Sequence, residues 1–181
     1  CLEGITPPTY ISARHHRGVL TPKEYCLICY GDTPGINPQT LQQFNEKVSR
    51  QGADMGVIGF IPHDPTGFGR LISQDGTLVE IVEEKDASPE QKKITLCNTG
   101  VILAKTKLLF SLLQDITCDN QQSEYYLTDC IALARRRDAK IVAFEAQDWR
   151  SFAGMNTREQ LDEVRQFFEQ KSREQPNARI P

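Results

Sequence analysis

Short apolar runs alternate along the chain with longer stretches in which apolar residues return every three or four positions. That is the pattern of strands alternating with helices. Residues 24–30 (Glu-Tyr-Cys-Leu-Ile-Cys-Tyr) are β-prone and halted by Gly31-Asp32, which predicts a buried parallel strand ending at the carboxyl edge of a sheet. Ligands bind at that edge in open α/β sheets. Residues 38–49 predict a helix, with Asn37 as N-cap, Pro38 in the first helical position and Leu41, Phe44 and Val48 on one face. Residues 55–61 predict a second strand, and Asp75-Gly76 within 71–82 predicts a hairpin closed by a tight type I′ turn. Further strands are expected at 95–104 and 140–146, and helices at 106–114 and 123–137. Thr157 and Gln160 form a capping box ahead of a last helix that turns Leu161, Val164, Phe167 and Phe168 inward. The expected fold is α/β, a mixed and mostly parallel sheet flanked by helices. Residues 1–24 show no period and read as irregular, 25–175 as one domain and 176–181 as a tail.

Composition narrows the function. The formal charge is −3 and the longest basic run is Arg135-Arg136-Arg137, so a phosphate-tracking nucleic-acid surface is not expected. No apolar run approaches the roughly 20 residues of a membrane span. The opening Cys1-Leu2-Glu3-Gly4 has neither the basic region nor the apolar stretch of a signal peptide. Four of the six cysteines (Cys26, Cys29, Cys97 and Cys130) sit in apolar or helical segments as small hydrophobes, which fits a reducing cytoplasm. Cys26 and Cys29 form a CxxC, but positions i and i+3 of a strand face opposite ways and suit neither a metal nor a disulfide. His15-His16 lies between two arginines and reads as solvated surface, while His63 stands next to a glycine-containing loop.

Four segments carry candidate chemistry. Asp32 after a strand offers a hard carboxylate for Mg²⁺, or is simply a turn residue. In Asp64-Pro65-Thr66-Gly67-Phe68-Gly69-Arg70 two glycines allow close approach to a ligand, or make the turn into the hairpin. Glu83-Glu84-Lys85-Asp86 reads by itself as solvated surface. Asn98 inside an apolar strand costs burial energy without a partner, so a ligand or a bulge is implied.

Taken in order, Tyr30-Gly31-Asp32-Thr33-Pro34, the 64–70 loop, Ile81-Val82-Glu83-Glu84-Lys85-Asp86-Ala87, Asn98-Thr99-Gly100, Glu124-Tyr125-Tyr126-Leu127-Thr128-Asp129 and Gly154-Met155-Asn156-Thr157-Arg158 resemble the bacterial N-acetylglucosamine-1-phosphate uridylyltransferase domain. The resemblance spans about residues 25–168. It implies a nucleotide-diphospho-sugar transferase fold and formation of UDP-N-acetylglucosamine and pyrophosphate from UTP and N-acetylglucosamine-1-phosphate. It implies Asp32 and Asn156 as the catalytic, Mg²⁺-holding pair. It implies Gly69, Glu83 and Asn98 at the amino-sugar phosphate, and Glu124, Tyr126 and Thr128 along the sugar and acetyl pocket. The family's glycine-rich triphosphate loop does not occur in residues 1–24, nor do its later hexapeptide repeats, and Glu84 stands where a His or another polar residue is common. The implied chain is therefore the sugar-binding part of the enzyme without its N-terminal nucleotide-binding part, with an exposed edge that invites homo-oligomers. The other readings left open are a non-catalytic sugar-phosphate or protein-interaction module of the same descent, and a nucleotidyltransferase for another sugar.

Overall fold

A computed structural model describes residues 24–31, 33, 35–152, 162, 165 and 166, except the side chains of residues 149 and 150. Asp32, Asn156, the 157–160 capping box, the final helix's apolar residues, most of the 1–24 segment and the 176–181 tail lie outside the described residues. The elements are β1 (Tyr25–Ile28), α1 (Pro38–Arg50), β2 (Met55–Phe60), β3 (Arg70–Gln74), β4 (Thr77–Val82), β5 (Cys97–Lys105), α2 (Thr106–Leu112), α3 (Asp129–Arg136) and β6 (Ile141–Glu145). Short 3₁₀ turns occupy Gln91–Lys93 and Trp149–Phe152.

The strands form one sheet in the order β4-β3-β5-β2-β6, with β1 also paired to β5. The sheet is mixed, as the pattern predicts, but its described pairings are mostly antiparallel and only β2 with β6 is parallel. The expectation for β1 is corrected in the same way. It runs antiparallel to β5, Tyr25 opposite Lys105 and Ile28 opposite Ile102, and leaves Leu27 45% exposed. An apolar run of this length does not encode strand direction, which depends on which partner it meets.

Both faces of the sheet are covered. On one, α2 and α3 pack Leu109, Leu112, Cys130, Ile131 and Ala134 against Val57, Ile102 and Ile141. On the other, α1 packs Phe44 and Val48 against Val101, Leu103 and Val142. β2 lies between the two cores, so every one of its residues is buried and its sequence is apolar without alternation. Gly56 lets α1 lie this close: a Cβ there would stand 2.4 Å from a Val48 methyl.

Local signals account for the ends of elements. Asn37 accepts the Gln39 N–H at 2.9 Å and Pro38 begins α1, as predicted. Asp75 and Gly76 both carry positive φ, 49° and 74°, which is the type I′ requirement. The helix expected over 123–137 is shorter, because α3 begins only at Asp129. Ser123 is left-handed (φ 52°), and the Asn120 carboxamide accepts the Gln122 and Glu124 N–H groups, so 120–124 is a side-chain-tied turn. Thr128 precedes α3 without capping it: its backbone is already helical (φ −62°, ψ −23°) rather than extended, and its hydroxyl donates to Glu83.

Candidate functional site

Four separated segments meet at the junction of β3, β4 and β5. Gly69 immediately precedes β3, and its carbonyl accepts the Asn98 N–H at 2.8 Å. A Cβ on Gly69 would stand 3.1 Å from the Glu83 carboxylate, so glycine leaves the space that the carboxylate borders. Glu83, just beyond β4, accepts the Thr128 hydroxyl at 3.0 Å. Thr128 is 3% exposed and arrives from the turn before α3. Gly69, Glu83, Asn98 and Thr128 therefore border one patch. Tyr126 lies within electrostatic reach of Asp86, Glu124, Glu83 and Asp129. Glu124 is exposed and held by its backbone to Asn120.

Asn98 answers the question its position raised. β5 shifts register against β2 between Val57 and Gly59, so Asn98 sits at a bulge. Its side-chain oxygen accepts the Gly100 N–H at 3.0 Å, and the neighbouring Thr99 hydroxyl donates to the Ile58 carbonyl at 2.7 Å while accepting the Val101 N–H. Gly100, at φ 79°, has the Tyr30 ring against its Cα, where a Cβ would come within 2.1 Å. The bulge uses the Asn98 oxygen, which leaves the amide Nδ2 as a donor for something other than the strand.

The electrostatics are those of a partly dry acidic wall. Burial pushes the Glu83 carboxyl up, opposed by the Thr128 hydrogen bond and helped by Asp86. Burial also raises Asp129, with Glu83 and Asp86 adding to it. The Tyr126 phenol is pushed up to about 12 by burial first and then by its acidic neighbours, so it stays a hydrogen-bond donor at neutral pH. One Asp86 carboxylate oxygen is buried without a partner, and the other accepts the Gln121 N–H. Such a wall accepts hydrogen bonds from hydroxyl and amide donors, and a bare anion gains nothing from it. Among the described residues no group of three or more His, Cys, Asp or Glu could hold a metal ion. Cys26, Cys29, Cys97 and Cys130 are free thiols.

The chain is 42% identical over 147 residues to the bifunctional protein GlmU of Chelativorans sp., 41% over 147 residues to that of Brucella anthropi, and 47% over 119 residues to that of Bartonella bacilliformis. The chain is homologous to part of GlmU. The first two matches cover 81% of this chain and 32% of the GlmU chain, so the chain spans about a third of the length of these relatives. The chain also shares its fold, at a TM-score of 0.65 and 17% identity, with a structure described as a glucose-1-phosphate thymidylyltransferase from Bacillus anthracis in complex with sucrose. That likeness covers 91% of this chain and 60% of the other. No protein-family model matches the chain. Among the described residues no helix is long and apolar enough to cross a membrane.

Residue-by-residue reading of the sequence misses three participants. Asp86 adds to the rise that burial gives Glu83, and Asp129 is itself raised by burial and by these two neighbours, yet Asp86 reads in sequence as part of a solvated charge cluster and Asp129 carries no signal of its own. Arg70 reads as the end of a loop and is in fact 2% exposed. Only the pairing of β3 with both β4 and β5 buries it.

Proposed function

We propose that this chain carries the sugar-phosphate half of a sugar-1-phosphate nucleotidyltransferase, acting on N-acetylglucosamine-1-phosphate with UTP. The observation that carries this reading is the meeting of Gly69, Glu83, Asn98 and Thr128, from four segments, on one patch. Homology to GlmU supports the same reading. Glu83 and the acidic wall accept from sugar hydroxyls, and Asn98 Nδ2 donates to a carbonyl or phosphate oxygen. Gly69 adds no side chain of its own to the space beside the Glu83 carboxylate.

The reaction is attack by the sugar phosphate oxygen on the α-phosphorus of UTP, with pyrophosphate leaving. It calls for in-line positioning and charge neutralisation rather than a protein nucleophile. Asp32 and Asn156 offer hard oxygen donors that suit Mg²⁺, which when bound supplies neutralisation of phosphate charge. The role of this chain's described residues is to bind and orient the sugar and to keep its phosphate clear of the carboxylates.

Calorimetry with N-acetylglucosamine-1-phosphate, UTP and UDP-N-acetylglucosamine, with and without Mg²⁺, tests the proposal. The wild-type chain is expected to bind the sugar phosphate, and Asn98→Ala to weaken it at least tenfold. Glucose-1-phosphate in the same titration checks the choice of sugar. No binding of any of these ligands by the wild-type chain would sink the reading and leave a non-catalytic module of the same descent.

A further inference from the structure

We propose that the buried Arg70–Glu84 ion pair is a positioning device, which sets the Phe68–Gly69 backbone against Glu83 through the residues next to the patch. The inference rests on the sugar-phosphate reading for its effect on affinity, and on geometry alone for its effect on the backbone.

Successive residues of an extended chain face opposite ways. Three pairs of sequence neighbours meet at this point: Cys97 and Asn98 within β5, Gly69 and Arg70 at the entry to β3, and Glu83 and Glu84 just beyond β4. Gly69, Glu83 and Asn98 are gathered on the patch described above. Their neighbours are gathered as well. Arg70 lies opposite Cys97 and Val82 in register, forms a 2.8 Å ion pair with Glu84, and together with Glu84 acts electrostatically on the Cys97 thiol. The Arg70 guanidinium also donates through NH1 to the Phe68 carbonyl, the residue just before Gly69. One cation thus ties the incoming loop to the outgoing end of β4, and each tie lies one residue from a residue of the patch. Lys92 approaches the other Glu84 oxygen at 3.7 Å and steadies that carboxylate.

The pair is poorly suited to being a stabiliser. Arg70 Nε is buried without an acceptor, and a buried ion pair commonly gains no more than an apolar pair of similar volume. An apolar pair, however, has no donor for the Phe68 carbonyl. Stability and positioning therefore separate in the double variant Arg70→Met/Glu84→Leu.

Three measurements on the full chain decide the matter: thermal midpoint, affinity for N-acetylglucosamine-1-phosphate, and exchange of the Asn98 amide hydrogen, which reports the bond to the Gly69 carbonyl. The single variant Glu84→Gln is expected to lower the midpoint. The double variant is expected to recover it to within a few degrees of wild type, yet to bind at least tenfold more weakly and to exchange the Asn98 amide at least tenfold faster. A double variant that matches wild type in both affinity and exchange would overturn the proposal. If the wild-type chain binds no sugar phosphate, the functional reading fails, and the Asn98 exchange rate still upholds or overturns the positioning role.

Discussion

At the scale of single residues, the site is built from groups whose own partners are backbone or each other. Asn98 gives its oxygen to the Gly100 N–H, and Thr128 gives its hydroxyl to Glu83 rather than to a helix cap. Thr128→Val keeps the shape and removes the donor. Glu83 then loses the one interaction that lowers its pKa and rises further. A half-desolvated carboxylate left without its donor costs about 1–3 kcal/mol. Urea denaturation at neutral pH is expected to show that loss, and the gap from wild type is expected to narrow as acid neutralises Glu83. A loss that persists unchanged in acid would rule the carboxylate out as its cause. Asn98 was legible as a conflict in the sequence, a polar residue inside an apolar run. The bulge that resolves half of that conflict was offered as one of two answers, and the structure shows how it is made.

At the scale of elements, close approach is set by glycine. α1 rests on β2 because Gly56 has no Cβ to meet Val48 and Phe44. Gly56→Ala must push α1 outward or distort Phe44, which costs about 1–3 kcal/mol by overpacking. The measurement is the denaturant midpoint, and an unchanged midpoint would mean that the α1 contact is looser than it stands here. The amphipathic pattern of α1, its Asn37 cap and the Asp75-Gly76 hairpin were all legible, since each depends on a few adjacent residues. The start of α3 was not. Apolar spacing continues smoothly through residues 123–128, but Asn120 ties that segment into a turn and Thr128 is drawn away to Glu83.

At the scale of the whole molecule, carboxylates of opposite character set the response to pH. Glu83 and Asp129 have folded-state pKa values raised by burial, so the native state binds protons more readily than the unfolded chain does there. Stability from these groups rises as pH falls from neutral through their raised values. Asp54 has the reverse sign. Its hydrogen bonds to the Lys105 ammonium and the Lys140 N–H hold it below the ordinary carboxylate range, so its contribution is present above that range and lost as pH falls through its lowered value. A stability maximum is expected in the mildly acidic range, after Glu83 and Asp129 protonate and before Asp54 does. Thermal midpoints against pH test this, with Glu83→Gln as the comparison. That variant is expected to melt above wild type at neutral pH and to converge with it in acid. A wild-type midpoint that falls steadily from neutrality would contradict the assigned signs.

The sequence by itself determined the mixed α/β class, the presence of β2 as an apolar strand, the α1 cap, the hairpin turn and the kinship that GlmU homology bears out. These follow from local pattern or from motif order along the chain. Tertiary structure alone decided the direction of β1, the late start of α3, the burial of Arg70 and the acidic environment of Glu83. Apart from the start of α3, which the nearby Asn120 turn sets, each depends on a partner well away in sequence, as Glu83 depends on Thr128 and Arg70 on Cys97. A side chain's solvation and the direction of a strand are properties of what surrounds them, which neighbouring residues in sequence do not specify.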